Sequence, residues 1–125
     1  MADDFTQFAL ELDRGDTAYL DFTCTVLGAP ADITGYQFRF TGKRRLSDSD
    51  AQAALLKTTG GGGIEITNAV AGLLTVFLAP GDFSSLSSVR ETLLCDLQGV
   101  SPAGDVFTME KGTLLIRSDV SLTVP

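Results

Sequence analysis

The 125-residue chain has no histidine and no tryptophan. The first absence removes the commonest general base and the commonest metal ligand together, so a catalytic centre would have to be built from Ser, Cys, Lys or carboxylates alone. The second removes the side chain that stacks best on sugars and that buttresses the core disulfide of antibody domains; only Tyr19 and Tyr36 remain to stack on a sugar. No apolar run approaches the length needed to cross a bilayer as a helix. The first residues, MADDFTQFALELDRGD, are acidic and lack both a basic opening and a continuous apolar stretch, so no signal peptide is expected. Synthesis into a reducing cytosol follows, and the two cysteines, Cys24 and Cys95, are expected as buried free thiols.

What is present is ordinary for one globular domain: 44% hydrophobic and 20% charged residues. A chain of this length can bury roughly two-thirds of the surface its unfolded form exposes. Sixteen acids against nine bases leave a net charge of -7, spread evenly, which argues against nucleic acid and anionic membranes as partners. Residues 1–125 are therefore expected to form a single domain, with 1–4 and 119–125 as extended arms.

The C-terminal third carries the clearest architecture. ETLLCDLQGV and VFTMEKGTLLIRSDV flank Ser101-Pro102-Ala103-Gly104-Asp105, a reversal signal between two apolar runs. Leu93, Cys95 and Leu97 fall on one face, as do Leu114 and Ile116, so this is a β-hairpin with one buried side. A lone hairpin cannot hide that face, and the remaining chain must supply a second sheet.

Taken in order, Phe8, Leu10 and Leu12 share a face of a first strand between Phe5 and Leu12. From Thr17 to Val26 the alternation is cleanest, with Ala18, Leu20, Phe22, Cys24 and Val26 inward and Tyr19 and Asp21 among the outward set. Gly35 to Arg44 repeats it, with Tyr36, Phe38 and Phe40 inward and Gln37, Arg39 and Thr41 outward. Ser47 to Ala54 has N-cap residues and room for one or two helical turns. Leu55 to Lys57 reads as an edge strand, then Ile64 and Ile66, then Leu74, Val76 and Leu78 point inward. Pro80-Gly81-Asp82 stops the last of these, and Phe83 to Ser88 is a crossover. Seven or eight short strands with polar turns predict an all-β, antiparallel two-sheet sandwich, immunoglobulin-like, with at most one or two helical turns.

Motifs with chemical connotations have plainer explanations here. Asp48 and Asp50 could open a calcium loop, but Ala53 and Thr59 stand where that loop needs Gly and Glu. The glycines 60–63 lack a following Lys-Ser/Thr and open a strand, so they read as a hairpin tip rather than a phosphate cradle. Arg14-Gly15-Asp16 sits in a turn cluster. Cys24 and Cys95 lie 71 residues apart on inward positions, as the bonded pair of an immunoglobulin domain does, yet Leu93 occupies the tyrosine-corner place and free thiols are favoured.

A set of turn and core segments occurs together and in order: GAPADITGYQFRF from Gly28 to Phe40, Gly63-Ile64-Glu65-Ile66, GLLTVFL from Gly72 to Leu78, Leu94-Cys95-Asp96-Leu97, Gly104-Asp105-Val106 and GTLLI from Gly112 to Ile116. This resembles the small immunoglobulin-like β-sandwich module of tailed-phage and prophage virion proteins. It is similar to the N-terminal domain of baseplate upper proteins, which hold receptor-binding proteins on the tail. The resemblance runs from about Gly15 to Ser121 and departs at Cys95, where an aromatic is usual, so a smaller core residue needs compensation nearby. Relatives often continue into helical or fibre regions; this chain is expected to dock through the sandwich itself or its short termini.

The resemblance implies a non-enzymatic virion subunit without cofactor or metal, assembled in the bacterial cytoplasm. It would sit at the tail tip, baseplate or fibre attachment, with other virion proteins as partners and a homo-oligomer or ring as the working form. Head decoration or a head–tail junction is the alternative, and a soluble carbohydrate- or protein-binding module a further one. Candidate interface residues are Leu73, Phe77 and Leu115, apolar on faces that should be wet, and the basic run Lys43, Arg44 and Arg45.

Overall fold

The structure is a computed structural model that describes residues 6–13, 15–45, 47–49, 52–83 and 90–117. Ten strands are present among them: β1 (Thr6–Asp13), β2 (Ala18–Thr23), β3 (Thr25–Val26), β4 (Ala29–Pro30), β5 (Gln37–Lys43), β6 (Leu55–Thr58), β7 (Ile64–Asn68), β8 (Leu73–Leu78), β9 (Arg90–Val100) and β10 (Val106–Arg117). Eight are four residues or longer; β3 and β4 form a two-residue ladder of their own. A wide sheet runs β1-β10-β9-β5-β6 and a narrow one β2-β8-β7. With β5, β9 and β10 adjacent on one sheet and β2, β8 and β7 on the other, this is the strand order of an immunoglobulin-like sandwich.

Alternation explains which side of each strand is buried. Along β8, Leu74, Val76 and Leu78 are sealed while Leu73 and Phe77 face out. Leu93, Cys95 and Leu97 on β9 and Leu114 and Ile116 on β10 meet them across the core. Phe8, Leu10 and Leu12 of β1 pack on the same cluster from the sheet edge. Full burial of one such aliphatic or aromatic side chain is worth about 1.5–3 kcal/mol.

Cys95 sits in a row of small residues, with Gly112 on one side and Gly42 on the other. Rings fill the space. A Cβ at Gly112 would strike the carbonyl and ring of Phe8, and Phe8, Phe22 and Phe40 lie with centroids 5.9 to 6.2 Å apart. A second aromatic group sits over Gly99, where a Cβ would collide with Phe107 and come within 2.9 Å of Phe38. There Phe107 meets Phe38 edge-on at 6.4 Å and Tyr36 at 6.0 Å. Glycine thus lets rings into the layer beside the small Cys95 side chain, at Gly112 and Gly99.

Four features depart from the alternation-based reading. First, β1 pairs with β10 in parallel, from Thr6↔Glu110 to Asp13↔Arg117, while every other ladder between named strands is antiparallel. Second, Val26 is exposed, because the chain leaves β2 at Cys24 and turns through Leu27 and Gly28, both at positive φ, into the β3–β4 hairpin. Third, the glycines 60–63 are no hairpin tip: β6 belongs to the wide sheet and β7 to the narrow one, so this run carries the crossover between layers. The Thr58 hydroxyl accepts the Gly61 N–H at 2.6 Å, and Gly62 and Gly63 take positive φ to complete the corner. Fourth, Thr41 points outward but is buried, flanked by Asp96 on β9 and Leu56 on β6.

Between Arg45 and Ala54 the described residues form turns, with the Asp48 N–H donating to Arg45 O and the Gln52 N–H to Ser49 O. Pro80–Phe83 is a single 3-10 turn, and Asp82 in it bonds Lys57 of β6 at 2.9 Å, clamping the two sheets at one rim. Gly72 is needed for close approach: a Cβ there would lie 2.6 Å from the Cys24 carbonyl and 2.7 Å from that of Ala31. The Phe83–Ser88 crossover beyond Phe83 and the arms at 1–4 and 119–125 lie outside the described residues.

Candidate functional site

The outward residues of the two sheets make two different surfaces. On the narrow sheet, register places Tyr19 opposite Phe77, Asp21 opposite Thr75, and Thr75 opposite Glu65. The Tyr19 and Phe77 rings are 5.2 Å apart and tilted by 40°. Tyr19 is 67% exposed, Leu73 38% and Phe77 36%. Asp21 accepts the Thr75 hydroxyl at 2.7 Å, which ties that carboxylate across the strands on the same face as the rings. Together with Glu65 and Thr67 they line an open trough of about 640 Å³. Its described lining has two carboxylates and no basic side chain.

The wide sheet presents a cleft of about 330 Å³ lined by Arg39, Thr41, Lys43, Leu94, Gln98 and Lys111, with Asp96 as the one acid. Arg39 donates to the Gln98 side chain at 3.1 Å. Three of the nine bases of an acidic chain therefore converge on one surface. Leu115 belongs to this sheet, paired with Glu11 and Thr92, and is half-buried.

The sequence candidates are thus divided. Leu73 and Phe77 fall together on the narrow sheet, joined by Tyr19, whereas Leu115 and Lys43 lie on the opposite side of the sandwich. The basic run does not act as a unit. Arg44 Nε donates to Glu91 at 2.6 Å and Arg45 lies 3.6 Å from Asp48, while Lys43 turns into the cleft with Arg39 and Lys111. Alternation already had Tyr19, Asp21 and Arg39 facing out, but only register shows which outward residues of other strands they meet.

The remaining motifs are structural. Asp13 pairs with Arg117 at 3.0 Å, and its carbonyl accepts the Asp16 N–H with Gly15 at positive φ; Arg14 lies outside the described residues. Asp48 is committed to Arg45, Asp50 is likewise outside the described residues, and among the described residues no three His, Cys, Asp or Glu side chains gather as a metal site. No described helix is long and apolar enough to cross a membrane.

Cys24 and Cys95 are both unbonded and buried. Burial raises the Cys24 thiol above its usual range. Burial first, and the neighbouring Asp96 charge second, push the Cys95 thiol up to about 12 against a partly offsetting backbone hydrogen bond at Leu114. Both are therefore inert thiols at neutral pH. The Thr34 hydroxyl, at 2.6 Å, and then the Thr34 N–H hold the exposed Asp32 carboxyl below its ordinary value, fixing the turn before β5.

No protein-family profile matches the chain, and no curated protein matches it. Among solved structures, the N-terminal domain of phage TP901-1 ORF48 aligns at 12% identity over 92% of this chain and 99% of that one, with a TM-score of 0.46. Murine CRIg aligns at 13% identity over 89% and 92% respectively, with a TM-score of 0.42.

Proposed function

We propose that the chain is a non-enzymatic structural subunit of a tailed-phage or prophage virion, placed at the tail tip, baseplate or fibre attachment and working through protein–protein contacts. The observation that carries this reading is the Tyr19 and Phe77 ring pair, exposed side by side on a sheet face, with Leu73 exposed farther along the same strand beyond Thr75. Single exposed apolar residues are common, but two aromatic rings paired on an open sheet face are the kind of feature that marks a contact surface. The resemblance of the turn and core segments to virion sandwich modules supplies the context. In this reading residues 1–125 are one domain with arms at both ends. Its partners are other virion proteins and further copies of itself, and neither nucleic acid nor membrane is engaged.

Purified particles, split into heads and tails, test it. The protein should travel with tails, and Phe77→Asp should fold normally yet be missing from them. Recovery with heads would favour a decoration or head–tail junction role. Absence from every particle fraction would overturn the virion reading. Unfolding of the Phe77→Asp protein would place that residue in the core.

One observation favours a second reading as a carbohydrate-binding module. The Tyr19 ring stands open to solvent beside the hydrogen-bonding row Asp21, Thr75 and Glu65, an arrangement that can stack on a neutral sugar and bond its hydroxyls. A glycan array on which Tyr19→Ala abolishes a specific signal would support it.

A further inference from the structure

The two outer surfaces carry charge of opposite sign, and we infer that they bind each other: the trough of one copy of this chain takes the basic cleft of the next. This rests on the virion-subunit reading and deepens it by naming a partner and both contact faces. The trough carries Asp21 and Glu65 as its charges, and the cleft carries Arg39, Lys43 and Lys111 against Asp96, so the lining charges are -2 and +2. Each is accompanied by apolar side chains: Tyr19 and Phe77 line the trough, Leu94 lines the cleft, and the 48%-exposed Leu56 is paired with Thr41 at the cleft's rim. A face of mixed aromatic and acidic character is the complement of one with aliphatic and basic character, because ring faces and carboxylates both attract cations.

Geometry decides how the copies meet. The trough is on the outside of the β2-β8-β7 sheet and the cleft on the outside of β1-β10-β9-β5-β6, so they look in opposite directions. One copy cannot bring its own two faces together, and pairing like with like would oppose equal charges. The contact is therefore head-to-tail, and repetition of such a heterologous contact builds a ring where the rotation closes and a stack where it does not. The net charge of -7 does not forbid this, since at physiological salt screening acts over about 8 Å and local complementarity governs.

Charge-swap complementation tests the inference on the whole chain. Sedimentation velocity of the wild type at rising concentration should show association that weakens with added salt. Asp21→Lys/Glu65→Lys makes both faces basic, and Lys43→Glu/Lys111→Glu makes both acidic. Each variant alone should be monomeric, with its dissociation constant raised at least about tenfold. An equimolar mixture should associate again, because each face then finds its opposite. If a double variant loses its β spectrum, Glu65→Lys and Lys111→Glu, both at exposed side chains, replace it. A wild type that stays monomeric at its highest soluble concentration overturns the inference, as do folded variants that associate undiminished or a mixture that fails to associate. Particle incorporation reads the virion role separately. A monomer found in tails would sink only the self-contact, and a self-associating chain missing from particles would sink only the virion role.

Discussion

The two sheets face the same core with different materials. The wide sheet supplies Phe8, Phe38, Phe40 and Phe107, and its inner rows contain Gly42, Gly99 and Gly112, two of which are occupied by rings from neighbouring strands. The narrow sheet has no glycine within β2, β7 or β8 and answers with Ile64, Leu74, Val76 and Leu78, plus one ring, Phe22. Its other two aromatics, Tyr19 and Phe77, are outside. On the wide sheet, glycine makes room for two of the ring groups, Phe8 over Gly112 and Phe107 with Phe38 over Gly99, whereas the narrow sheet buries one ring and turns two outward.

The largest test of that contrast compares one residue type on two sides. Phe40→Ala should cost about 3–5 kcal/mol by opening a cavity among sealed neighbours. Phe77→Ala should cost about 1 kcal/mol or less, losing little beyond its contact with the Tyr19 ring. Urea unfolding midpoints measure both, and equal losses would erase the distinction between inner and outer rings.

A smaller effect is expected at the notch itself. Gly99→Ala should destabilise by about 1–3 kcal/mol, because its methyl group meets two rings held by their own packing. Adding Phe107→Leu should return part of that loss, since the clash is with this side chain. A double variant no better than the sum of its singles would locate the strain elsewhere.

The smallest effect in energy concerns the thiols. With the Cys95 thiol pushed up to about 12, its native labelling should be far slower than that of an exposed thiol and should still climb about tenfold per pH unit at pH 9, where an exposed thiol of ordinary pKa begins to level off. For Cys24 the direction is the same. Denaturation without reductant should release two thiols; finding none would establish a disulfide.

Much of this architecture could be read from the alternation of side chains. Leu74, Val76 and Leu78, Leu93 and Leu97, and Leu114 and Ile116 were all assignable because a strand's period states which side is buried. What the period cannot state is which strand lies next door. That is why the parallel partner of β1, the layer change at glycines 60–63 and the meeting of Lys43 with Arg39 and Lys111 escaped it. Val26 departs from the alternation for a local reason: β2 ends at Thr23, and Val26 sits in the short β3–β4 ladder, just before the positive-φ pair Leu27-Gly28 that turns it. The face composed of Tyr19, Asp21, Glu65 and Phe77 draws on three strands, and only pairing brings them together.

The parallel ladder between β1 and β10 has a mechanical consequence. The chain enters this pair at Thr6, level with Glu110, and leaves it at Arg117, level with Asp13, so entry and exit are at opposite ends. Tension drawn through these two points runs along the strands and across their rungs. All eight pairs share such a load at once, together with the contacts of Arg117 to Asp13 at 3.0 Å and to Glu11 at 3.3 Å. An antiparallel pair pulled from adjacent ends would open one rung at a time, like a zip. The first and last strands of this sandwich instead form a shear joint, the geometry that best withstands a pull along the chain.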